Sequence, residues 1–356
     1  MEKNHDKKLF KKPQKLLRRY RINSQEDLKP PKTALEVLKN GKAIPILTLG
    51  NFSLVIGKAK SKKSFLISWL ISVMLSNNQN LLSQFYSRLS KDKKVLYFDT
   101  EQGKYHGQVA LKRICRLIRD ANPKRLKMYC LRSLKPKERL ELIEFAIYND
   151  DEIGVVFIDG IKDLITSINS EEEATEIASK LLKWTEERNI HIVCVLHQNK
   201  GDNNARGHLG SELTHKSETV VSVSKSQEDK DISIVQAEMC RNEEPDPFAF
   251  EIIDGLPVQV ENYEERAVTK KKKPNVLDMP HYQMFKLLTE VYSSKNEYMY
   301  GELNVAIKTA YKKQLKKPLA DRPTRDLINY MKNMNWLLQD NNRGAYKLGQ
   351  YDTKAD

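Results

Sequence analysis

Cysteine is scarce and scattered in this chain. The four residues, Cys115, Cys130, Cys194 and Cys240, form no C-x-x-C pair and have no histidine at ligand spacing. That pattern excludes a disulfide framework and a zinc site, and leaves thiols buried in a reducing compartment. Long apolar runs are missing too. The N-terminus has no signal-peptide core. The longest apolar stretch, Phe65 to Leu75, carries Ser68 and Ser72 and is too short to cross a bilayer. The expectation is a soluble, cytoplasmic protein with no membrane partner. Internal repeats are absent.

Acidic residues are the other shortage. The formal net charge is +14, and residues 1 to 22 hold nine Lys/Arg against Glu2 and Asp6. A second block, Lys270 to Lys273, precedes Pro274. Such blocks suit a solvated tail or linker, and equally a polyanion partner, nucleic acid first. The apolar residues Leu9, Phe10, Leu16 and Leu17 form no long apolar face for a membrane surface. A chain of 356 residues accommodates one sizeable core and a smaller one.

After the basic arm, "LKPPKTALEVLKNGKAIPIL" combines a Pro-Pro break with a short amphipathic helix. From Asn51 to about Val260, short apolar strands alternate with helix-length amphipathic segments. The strands read as 52–56, 94–99, 126–131, 153–158 and 190–197, with helices near 63–77, 105–120, 136–148 and 171–188. This alternation implies a parallel sheet with helices on both faces. Near-continuous apolar strands such as "GVVFIDG" suit its centre. After Gln198 the strands follow one another without intervening helices ("SETVVSVSKS", "DISIVQAEMCRN", "PFAFEIIDGLPVQV"), so the sheet is expected to end antiparallel.

In an open parallel sheet, ligands sit at the carboxyl ends of the strands. Polar residues gather at four of those ends. The first strand runs into Gly57-Lys58-Ala59-Lys60-Ser61-Lys62-Lys63-Ser64, which fits G-x-x-x-x-G-K-[ST] except that Lys62 holds the second glycine position. The second strand delivers Asp99, Thr100, Glu101 and Gln102. The fourth closes on Asp159, and the fifth on His197, Gln198 and Asn199. Backbone N–H groups of the 57–64 loop, at a helix N-terminus, would cradle the phosphates of ATP. Lys63 would meet the β- and γ-phosphates, while Ser64 and Asp159 would hold Mg²⁺. Glu101 is placed to polarise the attacking water, and Gln198 to sense the γ-phosphate. Taken singly, an aspartate after a strand is as often a helix cap and a His-Gln pair is as often structural. The series of four ends argues for a nucleotide site. Lys62 makes the loop either defective or a variant with added charge at the phosphates.

The segments "GKAKSKKS", "YFDTEQG", "VVFIDG", "VLHQNK" and "ARGHLGSEL" resemble the RecA-like P-loop ATPases, in particular the RepA-type and DnaB-type hexameric helicases and relatives carried by plasmids and mobile elements. The resemblance implies Glu101 as catalytic base and Gln198, beside His197, as phosphate sensor. It also implies a mobile DNA-facing loop over Asp202 to Gly210. An arginine finger acting in trans is implied at Arg241, although the lysine usual two residues earlier is Met239. Arg206 is the rival finger or a DNA-loop residue, and Arg241 also fits a plain surface strand. A ring or filament of identical subunits on single-stranded DNA would follow.

Beyond a lysine-rich linker, three helices and a hairpin turning at 341–344 resemble a winged helix, a fold that serves both duplex DNA and proteins. Its third helix offers Arg322, Thr324, Arg325, Asn329 and Lys332, and the wing tip offers Arg343. The domain expectation is 1–45 as basic arm and short helix, 46–262 as RecA-like ATPase, 263–280 as linker and 281–350 as winged helix. The functional expectation is a DNA-dependent, helicase-like ATPase of plasmid or mobile-element replication or mobilisation. The alternatives are an ATP-switched DNA-binding regulator or loader, and a scaffold with a degenerate nucleotide site.

Overall fold

The computed structural model describes residues 11–76, 85–199, 201–261, 263, 276–341 and 344–351. It divides into two compact units, Met1–Glu264 and Glu265–Asp356. Each is described by itself.

The first unit is built on a nine-stranded sheet in the order β12-β11-β10-β9-β3-β8-β7-β5-β6. Its strands are β3 (Phe52–Gly57), β5 (Lys94–Asp99), β6 (Leu126–Cys130), β7 (Ile153–Asp159), β8 (His191–His197), β9 (Thr219–Lys225), β10 (Ser233–Cys240), β11 (Phe248–Ile253) and β12 (Leu256–Val260). The six from β6 to β9 run parallel, with β3 between β8 and β9. The last three strands pair antiparallel. Every residue of β3 and of β7 is buried, which is why their sequences are apolar without alternation.

The period-2 pleat still sorts these side chains onto two cores. Val55, Tyr97, Phe157 and Val193 face helix α2 (Lys63–Leu75) and Ile114 of α3 (Lys104–Ile118). Leu54, Ile56, Phe98 and Ile158 face α4 (Pro136–Tyr148), α5 (Glu171–Arg188) and α6 (Gly207–Lys216). Helix α2 is buried over most of its surface, with Trp69 meeting Phe248 and Phe250 edge-on.

Two segments differ from the sequence expectation. "TALEVLK", read as a short amphipathic helix, is strand β1 (Thr33–Lys39), paired antiparallel with β2 (Lys42–Thr48). The reason is the turn: Asn40 and Gly41 have φ of 52° and 75°, the pair of positive values a two-residue hairpin demands. With β4 (Phe85–Ser87) they form a separate three-stranded sheet, so a domain start at residue 46 cuts through β2. The basic arm does contain a helix, α1, at Lys11–Tyr20. The second difference is α6, which begins inside the expected 202–210 loop and returns the chain so that β9 joins β3 in parallel.

In the second unit, α7 (His281–Val291), α8 (Tyr300–Leu315) and α9 (Asp321–Asn333) enclose a core that includes Met284, Leu287, Leu303, Leu327, Met331 and Trp336. Strand β13 (Glu297–Tyr298), between α7 and α8, pairs with β15 (Tyr346–Leu348), which also pairs with β14 (Leu337–Gln339). Arg322, Arg325, Asn329 and Lys332 lie exposed on α9. Thr324 does not: it is fully buried, its hydroxyl donating to Ala320 O at 2.8 Å. Its position one turn before Leu327 and Ile328 puts it on the apolar stripe of the helix. Arg343 lies outside the described residues.

Candidate functional site

The carboxyl ends of β3, β5, β7 and β8 surround a cleft of about 350 Å³. Strand β3 leads into it at Gly57, where an added Cβ would stand 2.5 Å from Val223 O and 2.6 Å from Ser61 Oγ. The loop then places Lys60 and Lys62 in the left-handed region, at φ 63° and 69°. Left-handed residues spaced by one are the geometry of backbone nests that receive anions, here at the start of a helix. Lys62 therefore adopts the conformation that glycine takes more readily, at a cost of about 1–2 kcal/mol. Its ammonium donates to Asp231 O in the β9–β10 turn, which ties the loop to that turn.

Lys63 begins α2 and is 8% exposed. Its ammonium donates to Gly57 O at 2.9 Å and Lys58 O at 3.1 Å. Burial lowers its pKa, against the opposing pull of the Asp159 and Glu101 carboxylates. The Ser64 hydroxyl donates to Asp159 Oδ2 at 3.2 Å, and the buried Tyr97 hydroxyl donates to the same oxygen at 3.1 Å. Burial, with the charges of Asp99 and Glu101 added, raises the Asp159 carboxyl to about 7. Asp99 accepts the N–H groups of Glu101 (3.0 Å) and Gln102 (2.8 Å) through Oδ1, while its Oδ2 is buried without a hydrogen-bond partner. Asp99 thus shapes the turn that carries Glu101.

Glu101 projects from that turn beside Gly160, where a Cβ would approach its Oε1 to 2.9 Å. His197 stands between Glu101 and Lys63. Its Nε2 is 3.4 Å from Glu101 Oε1 and its Nδ1 is 3.3 Å from Lys63 Nζ. An ammonium has no acceptor, so Nδ1 accepts from Lys63 and Nε2–H donates to Glu101. This hydrogen bond holds the Glu101 carboxyl below its usual range. Gln198, expected as the sensor, turns away: its Nε2 donates to Asn203 O at 2.6 Å. The imidazole next to it is the group that faces the cleft.

Arg206 is exposed at the start of α6, its N–H donating to His197 O at 3.0 Å. Arg241 follows β10 and donates to Asn51 Oδ1 at 3.1 Å. Asn51 precedes β3, so Arg241 lies at the opposite edge of the sheet from its own chain's cleft. Lys58 and Ala59 are exposed. Arg322, Arg325 and Lys332 belong to the second unit. Sequence reasoning misses Tyr97, one alternate position before Asp99 on the same face, although the period-2 pattern is a usable signal. It also misses Phe65 and Arg113, which line the same cleft and carry no local signal.

The donor set fits a hard divalent cation. All candidate ligands are oxygens, Asp99 Oδ2 is an unpartnered buried acceptor, and three carboxylates face one buried lysine. No cluster of three His, Cys, Asp or Glu residues forms a protein-only cage among the described residues. Magnesium, which keeps waters and shares itself with phosphates, matches so sparse a set.

A phosphate-cradling loop, a buried lysine, a Ser–Asp pair and a poised glutamate on a mostly parallel α/β sheet define a P-loop ATPase. The profile of a family described as "AAA domain" matches residues 17–203, more than half of the chain, and the protein belongs to that family. No curated protein matches it. Among solved structures it is similar to the RadB recombinase (15% identity, 61% of this chain and 94% of that one, TM-score 0.44). It is similar also to the ATPase domain of a DnaB-like helicase (14% identity, 59% and 85%, TM-score 0.45). A third is a KaiC-like protein of Pyrococcus horikoshii (13% identity, 61% and 93%, TM-score 0.46). No helix among the described residues is long and apolar enough to span a membrane.

Proposed function

We propose that the protein is a DNA-stimulated, RecA-like ATPase of the RepA/DnaB helicase type, acting in the replication or mobilisation of a plasmid or mobile element. The observation that carries this reading is the line Lys63–His197–Glu101 above the Ser64–Asp159 pair. Lys63 neutralises the outer phosphates, and the nest at 60–62 orients them. Ser64 and Asp159, with Asp99 behind them, hold Mg²⁺; bound there, it spreads the charge that develops on the transferred phosphoryl group. Glu101 takes the proton of the attacking water, held in place by His197. The carbonyl of His197 accepts from the N–H of Arg206, so the 198–206 segment, with its candidate DNA contacts, is linked to the site through one residue.

The position of Arg241, at the edge away from its own cleft, supports a role as a finger for a neighbouring subunit in a ring or filament. In the second unit the order helix, strand, two helices, two strands supports a winged-helix reading, with Arg322, Arg325 and Lys332 on duplex phosphates. The basic residues of the arm and linker add affinity without sequence readout. Lys62 favours one second reading, a nucleotide-switched DNA-binding loader that turns over slowly, because a left-handed lysine stiffens the loop.

Steady-state ATP hydrolysis with and without single-stranded DNA separates the two. Turnover that rises with DNA and drops 10²-fold or more in Lys63→Ala and in Glu101→Gln supports the motor. ATP binding without turnover in the wild type, lost in Lys63→Ala, sinks it and leaves the loader.

A further inference from the structure

The residues at one end of the cleft account for phosphates, cation and water. The rest of its wall is of another kind. Between the first turn of α2 and the middle of α3 it is lined by Phe65, His106, Val109, Ala110 and Arg113. The Arg113 guanidinium lies flat over the Phe65 ring, its carbon 3.6 Å from the ring centroid. One edge is fixed: Nη1 donates to Ser68 Oγ at 3.1 Å, and Nε donates to Gly255 O at 3.3 Å in the β11–β12 turn. Among the described residues no carboxylate pairs with Arg113, and its Nη2 makes no hydrogen bond. Desolvation lowers its pKa, as expected where a cation is withdrawn from water without a counter-charge.

A planar cation backed by an aromatic ring, with free donors on one edge and an apolar flank, is poorly suited to more phosphate, which Lys60, Lys62 and Lys63 already serve. It suits a flat heterocycle that stacks and presents ring-nitrogen or carbonyl acceptors. We propose that the α2–α3 end of the cleft is a nucleobase subsite, in which Arg113, preset on Phe65, stacks on and hydrogen-bonds the purine of the bound nucleoside triphosphate. The subsite rests on the nucleotide-site reading above. It adds to that reading a specificity-determining residue that touches the base and takes no part in hydrolysis.

The test compares ATP with inorganic tripolyphosphate, which carries the phosphates and lacks the base, by calorimetry on the full chain with Mg²⁺. The wild type is expected to bind ATP at least tenfold more tightly than tripolyphosphate. Arg113→Ala is expected to weaken ATP about tenfold while leaving tripolyphosphate within twofold, with CTP affected less than ATP. A purely structural clamp between α2, α3 and the β11–β12 turn would lower both ligands together, and that outcome overturns the subsite. So does an Arg113→Ala protein with unchanged ATP affinity. Phe65→Leu keeps the volume and removes the aromatic backing. It should weaken ATP severalfold and spare tripolyphosphate, which secures the test if Arg113→Ala does not fold. Wild-type protein that binds the two ligands equally overturns the base subsite and leaves the phosphate site standing. Wild-type protein that binds neither overturns both readings.

Discussion

Acidification should destabilise the ATPase unit through a single buried imidazole at the start of β8. His191 is wholly buried, with Nδ1 2.7 Å from Thr48 O and Nε2 3.1 Å from Ser53 Oγ. These partners fit the neutral ring, with Nδ1–H donating to the carbonyl and Nε2 accepting from the hydroxyl. Burial brings its pKa from 6.5 down to about 4. The folded pKa is depressed, so between pH 6.5 and 4 the unfolded chain binds the extra proton. Stability is full above pH 6.5 and is lost as pH falls toward 4. The linkage gives a loss of about 2 kcal/mol between pH 7.5 and 5, rising to about 3 kcal/mol at lower pH. Glu218, whose Oε2 is 3.8 Å from Nδ1, has a carboxyl raised by burial and works in the opposite sense. Comparing the wild type with His191→Gln therefore isolates the imidazole. Urea melts would follow Trp69 and Trp184 fluorescence in a Trp336→Phe background, which confines the signal to the first unit. The wild type should lose about 2 kcal/mol more than His191→Gln from pH 7.5 to 5. Parallel pH profiles would refute the neutral-ring argument. A wild type less acid-sensitive than the variant would mean that His191 is instead charged and paired with Glu218.

Two further outcomes follow from the site and from α9. Lys62→Gly removes a left-handed side chain costing about 1–2 kcal/mol, but it loses the hydrogen bond to Asp231 and gains unfolded-state entropy. Thermal melting should shift by less than the equivalent of about 1 kcal/mol, and ATP affinity should stay within a few-fold; a tenfold loss would make Lys62 a phosphate ligand. Arg325→Ala, on the exposed face of α9, should weaken duplex DNA binding evenly across sequences and reduce the slope of log affinity against log salt by about 1. An unchanged slope removes Arg325 from the phosphate contacts.

The parallel core is legible because burial on both faces leaves a local trace. "GVVFIDG" and "HIVCVLHQ" are apolar throughout, and the polar residues that end them fall at the sheet edge, where the cleft forms. What escapes a sequence reading is non-local or ambiguous in period. "TALEVLK" has apolar residues at spacings compatible with either period, and only the Asn40-Gly41 turn after it decides for a hairpin. The Gln198–His197 exchange has a different cause. Adjacent residues on a strand point to opposite faces, so only one can face the cleft, and the choice depends on the register of β8 beside β3, where Gly57 sits opposite His197. No pattern within "VLHQNK" states that register. Arg113 is harder still. Its meaning comes from Phe65 on another helix and Gly255 in a distant turn, so in sequence it is one basic residue among many on an amphipathic helix. A motif can say which residues handle phosphate because the loop that cradles it is continuous in the chain. Whatever recognises the rest of the ligand is assembled from separate elements, and becomes visible only when those elements are packed.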